Sequence, residues 1–534
     1  MYSSNDKNPI WSQLDNHRDE ITQKSISELF KENPNRESDF STSFENLWID
    51  VSKQLIDSKT FSLFSDLAEE SKIRNSLSDM MSGSPVNSTE EKPALHTALR
   101  ASRNSKILVD GVDVIPEITE TLEKMEEFSH SVRDGKLLGA TNSPIKSVVA
   151  VGIGGSHLGL SMACKALSEL SHPELTIKFC SSIDPIELTQ SLSGLDPETT
   201  IFVVTSKSFS TKETLSLMEN AKDWLNNSIG MTELSKHIVG VTNNKAKALD
   251  LGLEESMVFE IPDWVGGRFS LSSAAGLVLM ISIGPEKFFQ LLSGMNKIDE
   301  KTLSEPFESN GVLILSLIDI WNRSFLNHPT MAIVPYSSQM SDFPFYLQQL
   351  MMESLGKSNL ADGQETKGPI GSVVWGATGT ESQHAFFQFL HQGTDVVPCE
   401  MISFSKVNDN TFQEQKNTLF ANLIAQTEAL AFGSVNKEKG SKGRTDLKGN
   451  RPSTVILAPE LSPYILGQLI ALYEHRTVAS GMIWGVNPFD QWGVEFGKNL
   501  AVEIELELNK KSSSKINSFL SKNLLKKFEE FKDF

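Results

Sequence analysis

Residues 147–170 read Ser-Val-Val-Ala-Val-Gly-Ile-Gly-Gly-Ser-His-Leu-Gly-Leu-Ser-Met-Ala-Cys-Lys-Ala-Leu-Ser-Glu-Leu, and this stretch decides the fold class. Ser147–Val151 is a short β-rich run, and Leu158–Leu170 carries apolar residues at helical spacing. Between them Gly152-Ile153-Gly154-Gly155-Ser156 joins a strand directly to a helix start. Glycine lets the backbone approach a ligand closely, and the helix start offers unpaired N–H groups and a positive dipole end to an anion. A tight strand-to-helix turn with no ligand is the alternative. The spacing fits neither a dinucleotide fingerprint nor a nucleotide P-loop.

The same unit recurs on both sides. Thr176–Phe179, Thr200–Thr205, His237–Val241 and Met257–Ile261 are further strand candidates, with helix candidates such as Lys212–Leu225 between them. After Asp299 the texture returns. Met331–Pro335, Ser372–Trp375, Val396–Ile402 and Thr454–Leu457 suit strands, and Phe345–Met352, Gln383–His391, Phe412–Phe432 and Tyr464–Val478 suit helices. Strand and helix alternation predicts parallel, doubly wound sheets, so the fold class is α/β with two similar domains. Met1 to Arg100 shows helical periodicity at Ile26–Phe30 and Thr42–Asp57 and no strong alternation, which predicts a helical extension. The expected organisation is a helical N-terminal extension over 1–104 packing on the larger domain, α/β domains over 105–285 and 286–505, and a helical tail over 506–534.

Composition narrows the function. At 534 residues the chain exceeds one ordinary core, and its 39% hydrophobic content with 30 Phe and 8 Trp supports folding throughout. A net charge of −19 disfavours non-specific binding to nucleic acid or an anionic membrane. A phosphate ligand would then need a local cage of N–H groups, hydroxyls and a few cations. Cys164, Cys180 and Cys399 are odd in number and widely spaced, against a disulfide framework or a zinc cluster. The segment from Met1 to Glu20 lacks an apolar signal core, and the longest apolar stretch, around Ala274 to Ile283, is too short to span a bilayer. A soluble, cytoplasmic protein is expected. The stretch Asn436–Ser453, with Lys437, Lys439, Lys442, Arg444, Lys448 and Arg451, reads as a solvated loop, because no aromatic residues are interleaved. The run Ile516–Phe534 reads as a helix packed on its own protein, with membrane-surface binding as the alternative.

Five further segments can carry chemistry. Thr205-Ser206-Lys207-Ser208-Phe209-Ser210-Thr211 places five hydroxyls and an ammonium before a helix, more than one capping residue explains and suited to a phosphate monoester. In Val265-Gly266-Gly267-Arg268-Phe269-Ser270 the arginine can face a developing oxyanion, or can be an ordinary salt-bridging arginine. Gln349 and Glu353 stand at i and i+4, so an amide can orient what a carboxylate deprotonates; Glu353 with Lys357 at the same spacing is the competing surface pair. His384 suits proton transfer near neutrality, against a hydrogen-bonded core histidine or a metal pair with His391. That metal reading lacks an acidic or thiol partner on the same helix face. Lys498 follows the glycine-containing, aromatic-rich run that begins at Phe489.

Together these motifs resemble those of the glucose-6-phosphate isomerase family over almost the whole chain. The matching stretches are GIGGS at 152–156, SKSFSTKET at 206–214, VGGRFS at 265–270, QQLMMESLGK at 348–357, QHAFFQFLHQG at 383–393, GNRPS at 449–453 and FDQWGVEFGK at 489–498. FKENPNRESDFS at 30–41 and NSTEEKPALHTALR at 87–100 extend the likeness towards the N-terminus, with Lys92-Pro93 where the family usually has Arg-Ala. The resemblance implies two sugar-isomerase (SIS) domains, a homodimer whose active site is shared between subunits, and no metal or cofactor. It implies that Gly155, Ser156, Ser206, Lys207, Ser208 and Thr211 hold a sugar phosphate, and that Gln349 and Gln491 position it. Glu353 would be the base, Arg268 the oxyanion partner, and His384 and Lys498 the groups that open the ring. A broader glucose and mannose phosphate isomerase and a non-catalytic sugar-phosphate sensor are the alternatives.

Overall fold

The computed structural model describes residues 9–406, 412–434, 445–509 and 521–532. The chain divides into two compact units, Met1–Pro488 and Phe489–Phe534. In the first unit, five parallel strands lie in the order Thr176–Cys180, Ser147–Val151, Thr200–Thr205, Ile238–Thr242 and Val258–Glu260. Parallel neighbours require crossovers, and the helices Leu158–Ala166, Pro185–Leu192 and Lys212–Ile229 supply three of them. The two central strands Ser147–Val151 and Thr200–Thr205 are buried along their whole length, as their β-branched runs require, whereas the edge strand Thr176–Cys180 is partly exposed. From Ser147–Val151 the chain first crosses to one side and then returns to the other. The C-terminal ends of Ser147–Val151 and Thr200–Thr205, in register at Val151 and Val204, therefore flank a topological switch point. Open α/β sheets bind ligands at such a crevice.

The second sheet contains six strands in the order Ser41–Phe44, Leu47–Asp50, Ser453–Ala458, Cys399–Phe404, Thr330–Pro335 and Val373–Gly376. Its last four are parallel, but the first two form an antiparallel hairpin that pairs Ile49 with Ile456. This corrects the expected helix over Thr42–Asp57 within the helical extension of residues 1–104. The local pattern is ambiguous, and the two strands, which pair with each other, join the sheet only where Trp48 to Asp50 meet Val455 to Leu457, some four hundred residues later in the chain. The expected helix Gln383–His391 is also interrupted: it forms as Gly379–Gln383 and Phe387–Gln392, with His384 closing the first piece.

The helix Pro463–Trp484 is buried over almost its entire length. It crosses Pro285–Ser304 closely because Gly294 and Gly467 sit at the crossing; a β-carbon at Gly467 would lie 2.1 Å from the Leu291 carbonyl oxygen. Charged groups on this helix are paired internally, as burial demands. Arg100 binds Asp299 and Glu474, and Arg476 binds Asp319 and Glu400.

The second unit contains the helices Glu495–Leu508 and Ser521–Lys532, so the tail expected from residue 506 belongs to a unit that starts at Phe489. Of the basic stretch, Lys437, Lys439, Lys442 and Arg444 lie outside the described residues. Arg451 is buried and donates to the carbonyl oxygens of Asp395 and Gly393. No helix among the described residues is long and apolar enough to cross a membrane.

Candidate active site

The glycine-rich turn sets the geometry. Gly154 adopts φ 60°, a left-handed conformation that favours glycine. At Gly155 a β-carbon would lie 2.3 Å from the carbonyl carbon of Gly267 and 2.8 Å from the amide nitrogen of Arg268. The turn is thus packed backbone to backbone on the segment that carries Arg268. A β-carbon at Gly154 would meet Nε2 of Gln349 at 3.3 Å, so the same turn also adjoins the helix of the candidate base.

That helix begins as Phe343–Leu347 and widens into a π-helical turn over Gln348–Glu353. Such turns are frequent at functional sites. Despite the widening, Gln349 Nε2 donates to Glu353 Oε2 at 3.2 Å. The same oxygen accepts from Arg268 Nη1 at 3.3 Å. The Arg268 side chain is 1% exposed and Glu353 23%, so the cation is fixed inside the protein while the carboxylate still reaches open space. Two further bonds lock the guanidinium plane: Nε donates to Ser354 Oγ at 2.6 Å and Nη2 to the Pro488 carbonyl at 2.7 Å. Of the two sequence readings of Glu353, the shared face with Gln349 is observed directly, and its carboxylate pairs with Arg268. A carboxylate flanked by an amide and a rigid cation suits abstraction of a proton next to an oxygen that becomes negative.

The second turn leaves the adjacent strand at the switch point. Phe209 is fully buried at φ 48°, an uncommon conformation for a bulky residue, while Ser208 and Ser210 on either side of it are exposed. The buried ring therefore anchors a turn on which Ser208 and Ser210 are exposed while Ser206 stays buried. Ser208 and Ser210 lie 2.6 Å apart through their oxygens, and Ser206 Oγ donates to Thr211 Oγ1 at 3.2 Å just before the helix Lys212–Ile229. Lys207 turns to the protein: its Nζ donates to the Asp263 carbonyl at 2.6 Å and lies 3.6 Å from Asp263 Oδ1. Burial lowers the Lys207 pKa, and the charge of Asp263 opposes that shift.

The remaining candidates are placed separately. His384 is exposed, and its imidazole has no hydrogen-bond partner among the described residues. His391 bonds Gln426 at 2.8 Å. Gln491 and Lys498 belong to the second unit, where Lys498 pairs with Glu495 at 2.8 Å. The sequence reading missed Asp263, Ser354 and the Pro488 carbonyl as holders of Lys207 and Arg268. Ser354 directly follows Glu353 in a quoted motif, which was the one available signal; an aspartate in a loop carries none.

Three comparisons bear on this arrangement. A profile of the phosphoglucose isomerase family matches residues 50–524. A protein of Frankia casuarinae named glucose-6-phosphate isomerase is 42% identical over 529 residues, covering 96% of this chain and 95% of its own. One of Mycobacterium leprae with the same name is 42% identical over 505 residues, covering 92% and 91%. The crystal structure of a glucose-6-phosphate isomerase from Chlamydia trachomatis superposes with a TM-score of 0.86 at 31% identity, covering 98% of both chains.

Proposed function

The chain belongs to the phosphoglucose isomerase family, and we propose that it interconverts glucose 6-phosphate and fructose 6-phosphate by moving one proton between C1 and C2. One observation carries the residue assignment: the glycine-rich turn at the switch point packs directly against both Arg268 and Gln349, and these two hold the Glu353 carboxylate at 3.3 and 3.2 Å.

In this reading Gly155 and Ser156 of the glycine-rich turn and Ser206, Ser208 and Thr211 of the turn that carries Lys207 hold the phosphate, through hydroxyls and the main-chain N–H groups at helix starts. Glu353 takes the proton from C2 of the open aldose, the C–H electron pair forms the C1=C2 bond, and the charge moves onto oxygen as an enediolate. The Arg268 guanidinium balances that charge; the hydroxyl proton passes from O2 to O1 as C2=O forms, and Glu353 returns its proton at C1. Gln349 and Gln491 orient the substrate. His384 and Lys498 assist ring opening, with His384 reaching in from a second copy of the chain. The exposed imidazole, without a hydrogen-bond partner among the described residues, supports that role and with it a homodimer. We further assign the five-stranded sheet to a sugar-isomerase domain over 105–285 and the four parallel strands of the second sheet to one over 286–505, and the protein to the cytoplasm.

The test is turnover of fructose 6-phosphate, with product read by a coupled glucose-6-phosphate dehydrogenase. Glu353→Gln is expected to lower kcat by about 10²–10⁴-fold and to leave the affinity for a phosphate ester within a few-fold. A wild-type protein without turnover, or a variant that keeps it, refutes the proposal.

A further inference from the structure

Lys207 stands in a phosphate-suited turn, yet its ammonium is engaged elsewhere. Its Nζ has two contacts with one residue, the carbonyl oxygen of Asp263 at 2.6 Å and the carboxylate at 3.6 Å. The other carboxylate oxygen, Oδ2, accepts from Lys92 at 2.5 Å, and Oδ1 also accepts from Asn243 Nδ2 at 3.1 Å. The main chain of Lys207 is held from the same side: its carbonyl accepts from Asn243 N and from Thr242 Oγ1, both at 2.9 Å. Asp263 is therefore the meeting point of three segments: the phosphate turn through Lys207, the strand end at Asn243, and the N-terminal segment through Lys92.

From Asp263 the chain runs into the oxyanion arginine within five residues. Over that span Leu95 N donates to the Trp264 carbonyl at 3.2 Å, Val265 is fully buried, and His96 stacks on Phe269 with ring centroids 4.6 Å apart. These contacts hold the stretch on both sides of Arg268 against the N-terminal segment. An exposed lysine–carboxylate pair alone contributes little. Here three side-chain donors, Lys207, Lys92 and Asn243, converge on one residue, with Lys207 38% and Asp263 52% exposed; burial lowers the Lys207 pKa. Partial burial pushes the Asp263 carboxyl upward, but the Lys92 hydrogen bond and the Lys207 charge bring it below its ordinary value.

We propose that Asp263 is a positioning residue that ties Lys207 and Lys92 together, so that the phosphate turn and the Arg268 turn keep one register, and that the Lys207 ammonium works through this tie and not as a ligand of the phosphate. The proposal rests on the isomerase reading above, and it assigns Lys207 a role different from that of Ser206, Ser208 and Thr211.

The experiment is a double-mutant cycle of Lys207→Met and Asp263→Asn, with kcat and KM for fructose 6-phosphate and the competitive inhibition constant of inorganic phosphate. If the tie positions Arg268, each single variant loses about 10-fold or more in kcat, because small misplacements of reacting groups are costly. The phosphate inhibition constant stays within about threefold, and the double variant is no worse than the poorer single one, because both break the same link. Lys207→Arg, which can keep the link, restores most of kcat and keeps the test decisive if Lys207→Met does not fold. A Lys207→Met protein with a phosphate constant raised 10-fold or more and kcat retained, or losses that multiply in the double variant, overturns the proposal. Wild-type protein without turnover is a different outcome and removes the isomerase reading itself.

Discussion

Gly155→Ala tests the close approach on which the site is built. The added β-carbon would lie 2.3 Å from the Gly267 carbonyl carbon and 2.5 Å from its oxygen, and ordinary contact begins at 3.4 Å, so about 1.1 Å must be opened between two stretches of backbone. Neither side can yield by rotating a side chain. The strain is expected to cost about 1–3 kcal/mol of stability, as overpacking does. The larger effect falls on rate: moving Arg268 and the glycine-rich turn apart on the order of 1 Å predicts a loss of about 10²-fold in kcat/KM. The coupled fructose 6-phosphate assay gives the rate, and thermal unfolding gives the stability. Gly159→Ala, one turn further on, is the control. Its β-carbon would meet Tyr346 Cε2 at 3.4 Å, an ordinary contact, and it is expected to keep kcat within about twofold. If Gly155→Ala also keeps its rate and melting temperature, the backbone packing does not hold the site.

Other expectations follow from the same contacts. Arg268→Lys replaces a fork that reaches Ser354, Glu353 and Pro488 by one ammonium, and kcat is expected to fall about 10²–10³-fold with KM little changed; a fall of KM alone contradicts this. Arg100→Met leaves the buried carboxylates of Asp299 and Glu474 without their cation and should cost about 3–5 kcal/mol in denaturant unfolding, a loss below about 1 kcal/mol being contrary evidence. The His17–Asp57 pair should make stability depend on pH. Burial pulls the His17 imidazole down, but hydrogen bonds to Asp57 and Glu20 hold its pKa above 6.5. Burial pushes Asp57 up, but His17 and Thr60 hold it well below the carboxylate range. The pair then stabilises fully between the unfolded values of about 3.9 and 6.5; it weakens as pH rises through the folded value of His17 or falls through that of Asp57. The melting-temperature difference between wild type and Asp57→Asn should be largest near about pH 5 and shrink by about pH 9 towards the helix-capping contribution of Asp57. A difference constant across that range contradicts the linkage.

The strands Ser147–Val151 and Thr200–Thr205 were legible because each is a short buried β-rich run followed by a helix, so the signal lies within the local sequence. The spacing of Gln349 and Glu353 was legible for a similar reason: four residues on a helix share a face, and the wider turn does not undo it. The strand character of residues 41–50 is not legible locally, because the hairpin is held in a sheet through Trp48 to Asp50, whose partners are Val455 to Leu457. Asp263 could not be singled out either, since its meaning arises only where it meets Lys207, 56 residues earlier in the chain, and Lys92, 171 residues earlier.

The sequence by itself determined the alternation of strands and helices, the two helix-start turns and the chemical types available at them, because these follow from local periodicity and from what glycine, serine and threonine do to a chain. Only the tertiary structure decided that Gly155 presses on Arg268, that Arg268 holds Glu353 and that Lys207 is taken by Asp263. Those choices belong to packing: which backbone can approach which, and which buried charge finds a partner, is set by contacts between segments far apart in the chain.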